Sequence, residues 1–185
     1  MGLPSSGKGT QAKLLADVLG AKHVSSGEQY RRLMKEDSLL GRRLNEEISK
    51  GFLAPAWTAM YFFEQTVFSL KEEETIILDG FGRKLPEAKI IDEVLTWLHR
   101  PYLVVHLKVS GETFIERSKK RQALEGRADD KAPEIRLAEY EEHTKPAIEF
   151  FESKGLVIEV DGEQTPEEVH KAVVTAIEGY REAKY

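Results

Sequence analysis

The chain contains no cysteine, which excludes disulfides and thiolate metal sites. It has no run of about 18 apolar residues, so no helical membrane span is expected. The start has neither the basic segment nor the apolar stretch of a signal peptide, and no internal repeat or low-complexity tract follows. An excess of positive charge is missing too: 27 Lys and Arg stand against 32 Asp and Glu. That balance argues against a surface that coats nucleic acid. The absence of cysteine fits the cytoplasm, and the absence of coiled-coil heptads makes a monomer the expectation. With 185 residues, 41% of them apolar, the chain is long enough for one domain with a real core.

What is present begins with Gly2-Leu3-Pro4-Ser5-Ser6-Gly7-Lys8-Gly9-Thr10. Two glycines bracketing four residues, followed by lysine, let successive backbone N–H groups turn inward around a phosphate, and Lys8 adds a mobile positive charge. The run from Thr10 onward reads as a helix start, whose positive end also faces the anion. The hydroxyl that usually follows the lysine directly is replaced by Gly9 and comes one residue later, at Thr10. Such a loop normally hangs from a buried strand of about five apolar residues. Only Met1 precedes it here, so the first strand is expected to be largely absent, as in a sequence that begins late.

The rest alternates. Helix one is expected to close at Gly20, with a short strand over Lys22–Ser25. A helical pattern from Gln29 to Gln65, broken at Asp37-Ser38 and from Gly51 to Pro55, suggests an inserted helical subdomain. Thr75–Gly80 reads as a buried strand that delivers Asp79 to its C-terminal edge. Strands over Tyr102–Val109 and Leu156–Val160, with helices over 112–121 and 134–151 and a polar loop over 122–133, complete the pattern. Thr165-Pro166-Glu167-Glu168 opens the last helix with a capping box. Strands alternating with helices define an α/β fold with a parallel, doubly wound sheet.

Arginines recur near turns, at Arg31, Arg83, Arg117, Arg121, Arg127 and Arg136. One of them alone reads as a solvated surface cation. Beside a phosphate loop, the set reads as the extra positive charge that phosphoryl transfer between nucleotides requires. The five histidines lack metal-ligand spacing and read as structural. Phe62, Phe63, Phe150 and Phe151 read as packing residues.

Four blocks, the loop through Gln11, Ser25-Ser26-Gly27 with Arg31, Leu78-Asp79-Gly80-Phe81-Gly82-Arg83, and Gly126-Arg127-Ala128-Asp129-Asp130, together resemble the adenylate kinases and their nucleoside monophosphate kinase relatives. The resemblance covers nearly the whole chain. It implies a P-loop fold in three layers, a single domain over 1–185 with a helical monophosphate-binding insert at 26–70 and a short lid at 122–131. It implies transfer of the γ-phosphoryl of Mg-ATP to AMP, with nucleotides as partners and Mg2+ as cofactor. Ser5, Ser6, Gly7, Lys8, Gly9 and Thr10 would hold the ATP phosphates, with Arg117 and Arg121 on the same nucleotide. Ser26, Gly27, Arg31, Leu53, Ala54, Gly80, Arg83 and Glu87 would hold the monophosphate. Asp79 would hold the magnesium through water, and Lys8, Arg83, Arg121, Arg127 and Arg136 would surround the phosphoryl group in flight.

Two departures bear on that expectation. Gly82 replaces the proline usual after Asp-Gly-Phe, which is expected to place Arg83 less rigidly. Glu87 stands where a glutamine is usual; an ionised carboxylate only accepts hydrogen bonds, which suits guanine better than adenine. Glu87 reads equally well as a helix-start carboxylate. GMP, CMP or UMP as acceptor, a small-metabolite kinase and a non-catalytic nucleotide-binding module are the alternatives.

Overall fold

A computed structural model of the chain describes residues 1–126 and 132–184. Four short strands, β1 (Lys22–Ser25), β2 (Ile76–Asp79), β3 (Val104–Lys108) and β4 (Val157–Asp161), form two parallel pairs, β1 with β2 and β3 with β4. Around them run α1 (Lys8–Leu19), α2 (Ser26–Leu33), α3 (Leu39–Ile48), α4 (Ala56–Phe68), α5 (Leu85–Trp97), α6 (Gly111–Glu125), α7 (Pro133–Glu139), α8 (Lys145–Ser153) and α9 (Pro166–Lys184). A π-helical turn, Tyr140–Thr144, joins α7 to α8.

The expected parallel sheet is present as these two pairs, with no ladder between β2 and β3 among the described residues. Met1 lies on the β3 edge: its amino group donates to the Val105 carbonyl, and its own carbonyl accepts from the Leu107 amide at 3.0 Å. This is parallel-ladder bonding for a single residue. The chain then turns at Gly2, where a Cβ would stand 2.3 Å from the Leu107 carbonyl oxygen. Only a glycine fits so close to that strand.

The strands alternate faces and so sort the helices into layers. Leu107 and Val160 pack with Val169, Val173 and Ile177 of α9, and Leu15 of α1 joins them. Val104 and Val157, on the other face, pack with Ala147 and Phe151 of α8 and Ala88 of α5. Val24 of β1 joins Ala59, Phe62, Phe63 and Val67 of α4 and Ile91 and Leu95 of α5. Phe63 and Phe114 are wholly buried, each side chain contributing on the order of 1.5–3 kcal/mol to folding.

Local signals account for most boundaries. Gly20, at φ +60°, closes α1. Ser25, Ser38 and Ser110 cap α2, α3 and α6 by accepting from the amides of Glu28, Gly41 and Thr113. Thr165 and Glu168 form the expected capping box: the Thr165 amide donates to Glu168 Oε2 at 3.1 Å and the Glu168 amide to Thr165 Oγ1 at 3.4 Å. Two expectations are corrected. Helix α6 continues to Glu125 before Gly126 ends it with φ +63°, so residues 122–125 of the expected lid loop are helical, while residues 127–131 lie outside the described ones. The single helix expected over 134–151 is α7, the π turn and α8, because Pro146 near the start of α8 removes one backbone donor from a continuous ladder.

Candidate active site

The loop expected to cradle phosphate curls around its own lysine. Lys8 Nζ donates to the Gly2 carbonyl at 2.9 Å, to the Leu3 carbonyl and to Ser6 Oγ at 3.2 Å. Ser5 (φ +59°) and Gly7 (φ +94°) take the left-handed backbone that makes the curl, and Gly7 caps α1. The α1 N-terminus therefore opens into the same space as the loop amides, where a fixed partial positive charge favours an anion.

A cavity of about 520 Å³ lies over this loop. Ser5, Gly7, Lys8, Gly9, Thr10, Ser26, Gly27, Arg31, Leu53, Ala54, Asp79, Gly80, Arg83, Glu87, Arg117, Arg121 and Arg136 all line it. Of the residues expected at the site, Ser6 is instead buried beneath the loop, facing a second cavity of about 240 Å³. Arg127 lies outside the described residues.

The electrostatics of the cavity follow from this convergence. Lys8 sits well below the usual lysine pKa, first because it is buried and then because Arg83, Arg136 and Arg121 repel its charge; Asp79 opposes the shift. Cations gathered this closely cost folding energy, which an anionic ligand offsets. Asp79, at the C-terminal end of β2, faces the loop: its Oδ2 lies 3.5 Å from where a Cβ on Gly9 would stand. His23, read from the sequence as purely structural, sits beside this carboxylate with Nε2 3.9 Å from Asp79 Oδ2.

The opposite wall is built by close packing. Ser26 Oγ donates to the Gly80 carbonyl at 2.8 Å. A Cβ on Gly80, at φ +82°, would come within 2.5 Å of Ser26 Oγ and 3.1 Å of Arg83 Nη2. The Gly80 turn thus brings Arg83 close to Ser26 at the start of α2, and Arg31 Nη1 lies 3.1 Å from a Cβ position on Gly27.

The two departures acquire structural explanations. Gly82 has φ +68°, a conformation closed to proline. Glu87 is buried, and its Oε2 accepts from the Arg83 amide at 2.9 Å. Burial pushes the Glu87 carboxyl up, while the bonds from the Arg83 and Lys84 backbones and their charges pull it down. Glu87, in the first turn of α5, thus ties the Arg83 backbone to that helix while also lining the cavity.

Three contacts escaped the sequence reading. The Leu53 amide donates to Glu139 Oε2 at 2.8 Å, joining the turn after α3 to α7. Arg117 donates through Nη1 to the Gly162 carbonyl at 2.8 Å and through Nη2 to the Glu163 carbonyl at 3.1 Å. Ser5 and Ser118 share a 2.9 Å hydroxyl bond that ties the loop to α6. None has a sequence signature, since each pairs positions more than 40 residues apart.

A curled lysine loop before a helix, on an α/β fold with parallel strands and with arginines from α2, α6 and α7 facing it, defines a P-loop nucleotide-binding protein. Comparison with known proteins is specific. The adenylate kinase family model matches residues 1–156. Adenylate kinase 1 of Synechocystis sp. is 36% identical over 172 residues, covering 91% of this chain and 90% of that protein. The adenylate kinases of Porphyromonas gingivalis and Thermus thermophilus are each 34% identical, covering 97% and 96% of this chain and 94% of their own. The chain belongs to the adenylate kinase family. Among the described residues, no helix is long and apolar enough to cross a membrane.

Proposed function

We propose that this chain transfers the γ-phosphoryl group of Mg-ATP reversibly to AMP, giving two ADP. The observation that carries the reading is the gathering of Lys8, Arg83, Arg121 and Arg136 around one cavity over the phosphate loop. A site that only binds nucleotide needs affinity, whereas one that stabilises charge in flight needs cations on several sides of it.

The loop amides from Ser5 to Thr10 and Lys8 hold the donor phosphates. Arg117, anchored on the Gly162–Glu163 carbonyls, lies beside the second cavity, lined also by Gln164 and Pro166, where the donor base fits. Arg31 and Arg83 grip the acceptor phosphate, with Ser26, Gly27, Leu53, Ala54, Gly80 and Glu87 around the acceptor nucleoside. Arg121, Arg127 and Arg136 meet the transferring group. Residues 26–70 form the acceptor-binding insert and 122–131 the short lid, whose closure keeps water from competing as acceptor.

Asp79 fits a magnesium ion: it offers hard carboxylate oxygen at the strand end facing the phosphate loop. Mg2+ there, held partly through water, would neutralise charge on the donor phosphates. Lys8 and the arginines orient the phosphates around it.

AMP is favoured over GMP because Glu87 already spends an oxygen on the Arg83 backbone. The adenylate kinases of Synechocystis sp., Porphyromonas gingivalis and Thermus thermophilus, to which this chain is similar, support the same reading by name. The working unit is a single chain, since all these residues come from one polypeptide, and the compartment is the cytoplasm. The test is diphosphate formation from Mg-ATP with AMP, GMP, CMP and UMP offered separately. AMP is expected to dominate. Preference for another monophosphate would overturn the acceptor assignment, and nucleotide binding without product would overturn the enzymatic one.

A further inference from the structure

On the face of the sheet away from α9, three metal-ligating side chains converge that the phosphoryl-transfer site does not use. His106 of β3 stands directly across the parallel ladder from Glu159 of β4. Glu152, near the end of α8, reaches over the same pair, and one donor atom from each of the three lies within 4.8 Å of the others. The acids are exposed, but His106 is 7% exposed. Its Nδ1 is buried and lacks a hydrogen-bond partner, although it points at Glu159 Oε1 from 3.3 Å.

We propose that His106, Glu152 and Glu159 form a binding site for a zinc-class divalent cation, separate from the magnesium site at Asp79. The donor set fits: one imidazole nitrogen with two carboxylates suits zinc and its late first-row neighbours, and three protein ligands leave a fourth position for water. The spacing fits as well. Ligands about 2.0–2.1 Å from a tetrahedral ion lie roughly 3.3 Å apart, which is already the His106–Glu159 separation. Glu152, exposed on a helix, has the rotamer freedom to close the remaining distance.

The surroundings supply the outer support that metal-bound histidines need. His106 Nε2 lies 3.2 Å from the Tyr140 hydroxyl, so a proton held on Nε2 donates there and leaves the Nδ1 lone pair toward the carboxylates. Lys108 Nζ binds Glu159 Oε2 at 3.3 Å, leaving Oε1 for the ion. Bound there, the cation would clip α8 to β3 and β4, with Tyr140 of the π turn as the outer partner of the histidine.

Zinc titration of the full chain, in nucleotide-free buffer against a chromophoric chelator, tests this, together with thermal melting with and without zinc. We expect one zinc per chain and a higher Tm with zinc, with no comparable response to Mg2+ at the same concentration. Glu152→Gln alters an exposed side chain and leaves the fold intact; it should weaken zinc binding at least about tenfold and abolish the Tm shift. Cobalt substitution should give the visible bands of a tetrahedral site in the parent and not in His106→Gln. No zinc uptake, equal binding by the parent and Glu152→Gln, or an equal response to Mg2+ would each overturn the site. Should His106→Gln fail to fold, the Glu152→Gln comparison decides alone.

Discussion

The amide of Leu53 donates to Glu139 Oε2 over 2.8 Å, so one hydrogen bond links the turn after α3 to the helix that carries Arg136. Gly51, at φ +95°, packs there too: a Cβ would meet the Ala132 carbonyl at 3.2 Å and Arg136 Cγ at 3.3 Å. The acceptor-binding wall and an arginine expected at the reacting phosphoryl are therefore positioned together. Removing the link with Glu139→Ala should raise the KM for AMP roughly tenfold, about 1.4 kcal/mol, and lower kcat less. Glu139→Gln, which keeps an oxygen acceptor, should recover most of the loss. Steady-state kinetics at saturating ATP measure both.

Arg136→Ala should lower kcat by about 10³-fold or more, with little change in Tm, because Arg136 lies at the cavity rather than in the core. Arg136→Lys should restore little, since a point ammonium does not reproduce a planar guanidinium. A variant with full specific activity in its folded fraction would contradict the role.

Much of this site could be read from the sequence, because its strongest signals are local. The phosphate loop, the strand ending at Asp79 and the capping box at Thr165 each depend on residues within a few positions of one another. The pairings that refine the site do not: Leu53 with Glu139, Arg117 with Gly162, and His106 with Glu159 are joined only by topology. Glu87 shows the limit within a local motif. Its charge suits either a reader of the acceptor base or a helix-start carboxylate, and neither its burial nor its bond to the Arg83 amide could be read from the sequence. The break between α7 and α8 had a local signal in Pro146, which apolar spacing over 134–151 alone outweighed.

Glu87 gives a pH dependence whose sign can be worked out. Burial raises its carboxyl pKa in the folded state above the ordinary value, so the folded chain holds the proton more tightly than the unfolded chain. This contribution is fully present below the unfolded pKa and is lost as pH rises through the folded one. Glu87→Gln, whose amide oxygen still accepts from Arg83, should flatten that part of the profile of Tm against pH and match or exceed the parent at neutral pH. AMP preference should persist in the variant. A switch in acceptor choice would instead make Glu87 a reader of the base.

Asp79→Asn should lower kcat on the order of a hundredfold and raise the Mg2+ concentration needed for half-maximal rate, because a neutral amide holds the hydrated ion less well. Magnesium titrations of rate on the parent and the variant check this. An unchanged magnesium requirement would move the metal away from Asp79.

The most direct measurement follows the phosphoryl group itself. The chain is incubated with Mg2+, AMP and ATP labelled at the γ-phosphate, and the products are separated. Transfer between nucleotides predicts that label lost from ATP appears in ADP formed from AMP, with little in inorganic phosphate and none moved when AMP is omitted. Label released mainly as inorganic phosphate, at a rate indifferent to AMP, would contradict it.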